Sequence, residues 1–389
     1  MRRTLDTMAA QTVPPALWVV VDDGSTDDTP KILAEYAARL PYLKVVRRDN
    51  RGHRSVGPGV IEAFYAGLET VDQSQFDYLC KLDLDLDLPP RYFEILIGRM
   101  EANPRIGTCS GKSYFTDPAS GNLVSEKCGD EMSVGMTKLY RRECFREIGG
   151  FVREVMWDGI DCHKCRMLGW IACSWDEPEL RFVHLRPMGS SDKGILTGRM
   201  RHGFGQYFMG TGLAYMTASS IFRMTGRPWI VGGLAMLWGY VRSLLARKPR
   251  FDDLEFRAFL RGYQAQCLLR GKKRATARLD AEGEARRRGE KVPPPSDLGL
   301  ALLLILVLAF GLRAGWALAV PVRPVSDGVA YDAFARNLAA GGGYGWTPGA
   351  LSAYWPVGTS AVYAALYGLF GVSYAPIVAL AVSLHGPLS

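Results

Sequence analysis

The run Val19-Val20-Val21-Asp22-Asp23-Gly24-Ser25-Thr26-Asp27-Asp28-Thr29-Pro30 constrains the fold of this chain more than any other stretch. Three consecutive valines with no polar alternation read as a strand buried on both faces, which calls for a parallel sheet between layers of helix. The strand stops in two acids, Gly24 and Ser25 allow a tight turn, and Thr26 to Thr29 supply cap residues before Pro30 opens a helix through Ala38. Open α/β sheets bind ligands beyond the carboxyl ends of their strands, which is where Asp22 and Asp23 fall. A helix cap accounts for one of these acids and not for the pair before the turn.

Leu82-Asp83-Leu84-Asp85-Leu86-Asp87-Leu88 is the second informative run, bounded by Pro89-Pro90. In an extended chain the alternation puts Asp83, Asp85 and Asp87 on one face, where three carboxylates repel unless a cation sits among them. Oxygen ligands of this kind suit Mg²⁺ or Mn²⁺, which can bridge to a diphosphate. Between the two runs, Leu43 to Val46 reads as a short strand. The basic, glycine-containing loop after it, with Arg51, Arg54, Gly57 and Gly59, feeds a helix from Val60 to Leu68. Such a loop suits anionic phosphate, and Arg51 and Arg54 are its candidate contacts. Further on, Arg91 to Met100 reads as a helix, and Gly107 to Tyr114 and Leu123 to Ser125 as strands. Asp158 stands at the start of a helical stretch, where the dipole favours the anion that a general base has to be. Asp161, one turn on, is the alternative base.

The Asp22-Asp23 run closely resembles the nucleotide-sugar loop of family-two glycosyltransferases, the inverting enzymes of the GT-A fold. Asp83 and Asp85 resemble that family's D-x-D motif, Gly149-Gly150-Phe151 its approach to the acceptor site, and His184 the metal-binding histidine of related enzymes. The resemblance implies that Asp22, Asp23, Ser25, Arg51, Arg54 and Asp83 bind the nucleotide sugar. Asp83, Asp85 and His184 would hold the cation, and Asp158 would be the base, with Trp157 replacing the usual Glu before it. It also implies that the first helix, Thr4 to Gln11, follows a strand absent here, so the mostly parallel sheet is expected to lack one strand. The Gln-x-x-Arg-Trp motif of processive synthases is missing, which favours transfer of a single sugar.

The formal charge of +8 is carried by one segment, since Arg242 to Lys291 holds 15 Lys and Arg against 7 Asp and Glu. Phe251 to Gly289 reads as basic, mostly helical and solvated, and Pro293-Pro294-Pro295 as a linker. Leu298 to Val320, with only Arg313 charged, is long enough to span a bilayer. A basic stretch before an apolar one points to the cytoplasmic face and its anionic lipids, and no nucleic-acid motif accompanies the charge. Ile230 to Leu245 is apolar enough to lie in a membrane interface. The eight cysteines read as reduced thiols, and the lone Cys162-x-x-Cys165 pair does not complete a zinc set. Segments around Asp327, Gly341 to Tyr344 and Tyr354 to Gly358 resemble the first outer loop of GT-C membrane glycosyltransferases, with Asp327 as the implied acid.

Together these readings anticipate a GT-A domain over 1–245, a basic helical linker over 246–297 and a membrane segment over 298–389. The expected activity is metal-dependent, inverting transfer from a nucleotide-diphosphate sugar to a lipid-linked or saccharide hydroxyl at the cytoplasmic membrane. The alternatives are a catalytically dead sugar-nucleotide-binding subunit and a fragment of a bifunctional GT-A/GT-C enzyme.

Overall fold

The structure, a computed structural model, describes residues 1–52, 57–185, 194–226, 228–290, 292, 299–319, 324–352 and 354–384. It divides into two compact units, Met1–Gly299 and Leu300–Ser389. The first contains strands β1 (Trp18–Asp22), β2 (Leu43–Arg47), β3 (Tyr78–Leu82), β4 (Leu86–Asp87), β5 (Ile106–Ser110), β6 (Lys112–Thr116), β7 (Leu123–Ser125), β8 (Thr137–Arg141), β9 (Ile171–Ser174) and β10 (Arg181–His184). Its helices are α1 (Arg2–Ala9), α2 (Thr29–Arg39), α3 (Pro58–Leu68), α4 (Tyr92–Ala102), α5 (Arg142–Glu147), α6 (Trp157–Met167), α7 (Ile195–Met209), α8 (Leu213–Arg223), α9 (Val231–Leu245), α10 (Leu254–Arg270) and α11 (Lys272–Arg287). The second unit is helical, with α12 (Gly299–Ala319), α13 (Asp327–Ala339), α14 (Val357–Phe370) and α15 (Ala375–Leu384).

The architecture is α/β, but the sheets are mixed rather than mostly parallel. β1 pairs in parallel with β2. A second sheet runs β3-β8-β5-β9 and a third runs β4-β10-β6-β7, each combining parallel and antiparallel neighbours. β1 and β3 are not paired to each other, and a cavity of about 740 Å³ is lined by both. Residues of α3, with Phe93 and Ile97 of α4, close its sides. The expected strand from Gly107 to Tyr114 is two strands in different sheets, broken at Gly111. There a Cβ would lie 1.8 Å from the Leu180 carbonyl oxygen, and the amide donates to the Tyr92 hydroxyl at 2.7 Å. That crossing needs glycine because no side chain fits between the two backbones.

The helices begin and end close to where periodicity put them. α2 buries Leu33 and Tyr36 against β2, and α4 buries Tyr92, Phe93, Leu96 and Met100 in the same core as Val20 and Leu86. A second core is aromatic, with Phe145, Phe151, Tyr140 and Trp157 meeting edge to face, Phe151 and Trp157 at 4.8 Å between ring centres. Edge-to-face pairs of this kind contribute about 0.5–1.5 kcal/mol beyond their burial. The basic segment is not simply solvated. α10 buries Phe256, Phe259, Leu260 and Tyr263, and α10 and α11 both pack on α6, so the first unit runs on through them.

The apolar run expected to cross a membrane forms α12, several of whose side chains lie outside the described residues. Among the described residues no helix is long and apolar enough to cross a membrane. All eight cysteines are free, with Cys165 Sγ 3.4 Å from Cys144 Sγ.

His163 on α6 gives the fold an acid-sensitive point. Its Nδ1 is sealed from solvent without a hydrogen-bond partner, although part of the residue's surface stays accessible. Burial, then Arg166, Lys272 and Lys138, pushes its pKa down to about 3. Folding stability is therefore full above the unfolded value of about 6.5 and is lost as pH falls from there toward 3, because only the unfolded chain takes up the proton in that window. Melting temperature is expected to decline from pH 6.5 to pH 4 more steeply in the native protein than in His163→Gln. Equal slopes would show that this residue does not govern the acid limb.

Candidate functional site

β1 delivers its acids as the sequence requires. Asp22 is 3% exposed, and its Oδ1 accepts the Ser25 amide at 2.9 Å, closing the turn that Gly24 makes at φ +81°. Its Oδ2 is buried with no hydrogen-bond partner and has Arg47 Nε 3.8 Å away. Asp23 points elsewhere, with Oδ1 on Arg48 at 2.8 Å and Oδ2 on Arg51 at 2.5 Å. Arg51 also reaches Glu62 at 3.0 Å. The neighbouring loop lies against this turn, because Asn50 Nδ2 donates to the Gly24 carbonyl at 2.8 Å and a Cβ on Gly24 would strike Asn50 backbone at 2.4 Å. Asp22, Asp23, Ser25 and Arg51 thus form one clasped pair of loops. Arg54 lies outside the described residues.

The second acidic run departs from its expected geometry. β3 ends at Leu82, the chain turns through Leu84-Asp85, and β4 holds only Leu86 and Asp87, so the three aspartates do not share a strand face. Each finds its own cation. Asp83 Oδ1 takes Lys81 Nζ at 2.5 Å, Asp85 Oδ2 lies 3.6 Å from His184 Nε2, and Asp87 is paired with Arg3 at 2.5 Å. Antiparallel pairing of β10 with β4 carries His184 to this place.

On its other side, His184 Nδ1 is 3.3 Å from the carboxylate of Glu126, whose side chain is 4% exposed. Burial opposes charging of the imidazole, but hydrogen bonding to Asp85 and Glu126 overrides it and raises its pKa to about 9. A buried carboxylate on the far nitrogen is the usual way a ligating histidine is oriented. Asp85 and His184 fit as two ligands of a hard divalent cation only when the imidazole gives up the proton that its two carboxylate partners hold on it. Asp83 is held by Lys81, and among the described residues no three His, Cys, Asp or Glu side chains are grouped to hold a metal.

Two acids sit on α6, and their surroundings separate them. The helix starts after Met156, which takes the left-handed conformation at φ 67° and sets Trp157 and Asp158 in the first turn. Asp158 is half-buried and lies close to Gly135, where a Cβ would come 3.0 Å from its Oδ2 and press on the carboxylate. Asp161 is 1% exposed, ion-paired at 2.5 Å to Lys138, itself buried, and accepts a hydrogen bond from Tyr140. Burial lowers the Lys138 pKa, the charge of Asp161 raises it, and the net direction is upward, while burial also raises the pKa of Asp161. Asp161, the alternative base in the sequence reading, is sealed in the core and cannot take a proton from an acceptor.

Lys81 links the parts. Its Nζ reaches Asp83 at 2.5 Å and the Gly135 carbonyl at 2.9 Å, and lies 5.1 Å from the centre of a Trp157 ring. Through Gly135 it ties Asp83 to the strip beside Asp158. Asp23, Lys81 and Asp83 also line the cavity between β1 and β3. Lys81, Gly135 and Glu126 carry no motif. For Lys81 the available signal was a cation two residues before Asp83 on the same strand face; for the other two there was none, since their partners are distant in sequence.

Curated relatives matched by the chain include uncharacterized proteins of Mycobacterium bovis and Mycobacterium tuberculosis, 47% identical over 55 residues, or 13% of this chain and 16% of each relative. The chain thus aligns with about a sixth of the length of those relatives. Among solved structures, a mannosyltransferase of Pyrobaculum calidifontis in complex with GDP-Man and Mn²⁺ is similar at TM-score 0.38 and 16% identity, over 96% of this chain and 84% of that one. GalNAc-T7 with UDP, GalNAc and Mn²⁺ is similar at TM-score 0.37 and 13% identity, over 62% and 55%. The resemblance of the C-terminal segment to GT-C enzymes finds no support in these matches. Residues 1–154 match the model of the family described as glycosyl transferase family 2, and it is to this family that the part of the chain holding Asp22, Asp23, Asp83 and Asp85 is similar.

Proposed function

We propose that the chain transfers a sugar from a nucleotide-diphosphate donor to a hydroxyl acceptor with inversion. The observation that carries this reading is the link Asp83–Lys81–Gly135 beside Asp158, within a chain whose first 154 residues match glycosyl transferase family 2. Asp22 and its Ser25 turn bind the base and ribose end of the donor, where the unsatisfied Asp22 Oδ2 is an acceptor waiting for a donor. Arg51 and Asp23 shape the adjoining wall. Asp85, Asp83 and a deprotonated His184 are the residues that would hold a divalent cation, which would neutralise the charge of the departing diphosphate. Asp158 takes the proton of the acceptor hydroxyl. The acceptor oxygen bonds to the anomeric carbon as the carbon–phosphate oxygen bond breaks, and the nucleoside diphosphate leaves with that electron pair. A single displacement inverts the configuration. The acceptor is a lipid-linked or saccharide hydroxyl, a reading supported by the basic segment of the sequence.

Calorimetric titration with UDP-, GDP- and dTDP-sugars, with and without Mn²⁺, tests the donor site. One nucleotide class should bind in the presence of the ion, and Asp83→Ala should weaken it at least about tenfold, the loss of a charged contact. Binding that is indifferent to both the ion and the substitution would sink the assignment of Asp83.

A further inference from the structure

Helix α9 is apolar on both sides, and only one side is used inside the unit. Its inner stripe meets α7 through glycines: a Cβ on Gly203 would lie 2.0 Å from the Met236 carbonyl oxygen, and one on Gly239 would lie 2.1 Å from that of Met200. A helix packed by one stripe in a water-soluble domain presents polar residues on the other. Here the outer stripe is Val231, Leu234, Trp238 and Leu245, set three, four and seven residues apart, with Trp238 55% and Leu245 73% exposed. Phe222, near the end of α8, is 77% exposed, and Trp229 and Ile230 at the corner between the helices are 60% exposed each. Ile230 sits at φ +31°, a backbone conformation that β-branched residues rarely adopt, and it does so in a turn that leaves its own side chain and that of Trp229 outside.

The surrounding charge says what covers this face. From residue 193 to residue 251 the chain has nine Lys and Arg and no Asp or Glu. Arg242 emerges one turn after Trp238 on the same stripe, and Arg223, Arg247 and Lys248 are exposed nearby in the chain. Tryptophan, aliphatic residues and cations without a single acid make the composition of a helix lying at a lipid headgroup boundary. At 15 residues and about 1.5 Å per residue α9 is too short to cross a bilayer core of about 30 Å.

We propose that the outer face of α9, with Phe222 and the Trp229-Ile230 corner, docks in the interface of an anionic lipid bilayer, lying in its plane. The proposal is independent of the chemistry at the acidic site and of the α12 segment.

The test uses the full chain with vesicles of phosphatidylcholine, with and without phosphatidylglycerol, read by flotation and by hydrogen exchange with mass spectrometry. Phosphatidylglycerol vesicles should carry the protein upward and slow exchange in peptides covering residues 221–245. The triple variant Phe222→Ser, Trp229→Ser, Trp238→Ser should float at least about tenfold less. Arg242→Glu with Lys248→Glu keeps the apolar face and should weaken binding by roughly fivefold or more per cation. Two results would overturn the proposal: flotation unchanged in both variants, or slowed exchange at 221–245 that grows with protein concentration in the absence of vesicles, as when a second copy covers the face.

Discussion

Asp158→Asn is expected to lower kcat/KM for sugar transfer by about 10²- to 10⁴-fold, the range that loss of a positioned general base produces. Asparagine keeps the shape of the side chain beside Gly135 and removes the proton acceptor. Because Asp158 is half-buried, unfolding free energy should stay within about 0.5 kcal/mol of the native protein. Donor affinity should be unchanged, so the loss falls on kcat and kcat/KM alike, as for a group acting only in the transition state. A fall of less than about threefold, measured at saturating donor, would remove Asp158 from the mechanism.

The second large effect is on stability. Asp161→Ala strips the partner from Lys138, an ammonium with no exposed side-chain surface, and removes the acceptor of the Tyr140 hydroxyl. Breaking a buried pair on one side costs about 3–5 kcal/mol, because the remaining charge is left in a low dielectric. Urea unfolding should show that loss as a lower midpoint at unchanged slope. The double variant Lys138→Met, Asp161→Leu should recover part of it, since no buried charge is left unpaired although the Tyr140 hydroxyl still lacks its acceptor. If Asp161→Ala were as stable as the native chain but inactive, the two acids of α6 would have to exchange roles.

The two acids of α6 differ in their surroundings in a way that sequence spacing does not show. Both stand near a helix start, three residues apart, and sequence spacing treats them as equals. What separates them is Lys138 and Tyr140 on β8, which reach Asp161 across more than twenty residues of chain. The aspartates of the second run give the same lesson. Alternation with leucine implies a straight strand, but the chain turns at Leu84-Asp85 to meet β10, and three separate cations then claim the three acids.

By itself the sequence determined the β1 strand, its acidic turn and the helix after it, because an apolar run, a glycine and cap residues act through neighbours a few positions away. It also determined the concentration of cations in one segment. Only the tertiary structure decided that α10 and α11 pack on α6 and that the sheets are mixed. It alone placed Glu126 behind His184 and Lys81 between Asp83 and Gly135. Those outcomes depend on which distant surfaces meet and how much apolar area they bury, and local spacing carries no record of that.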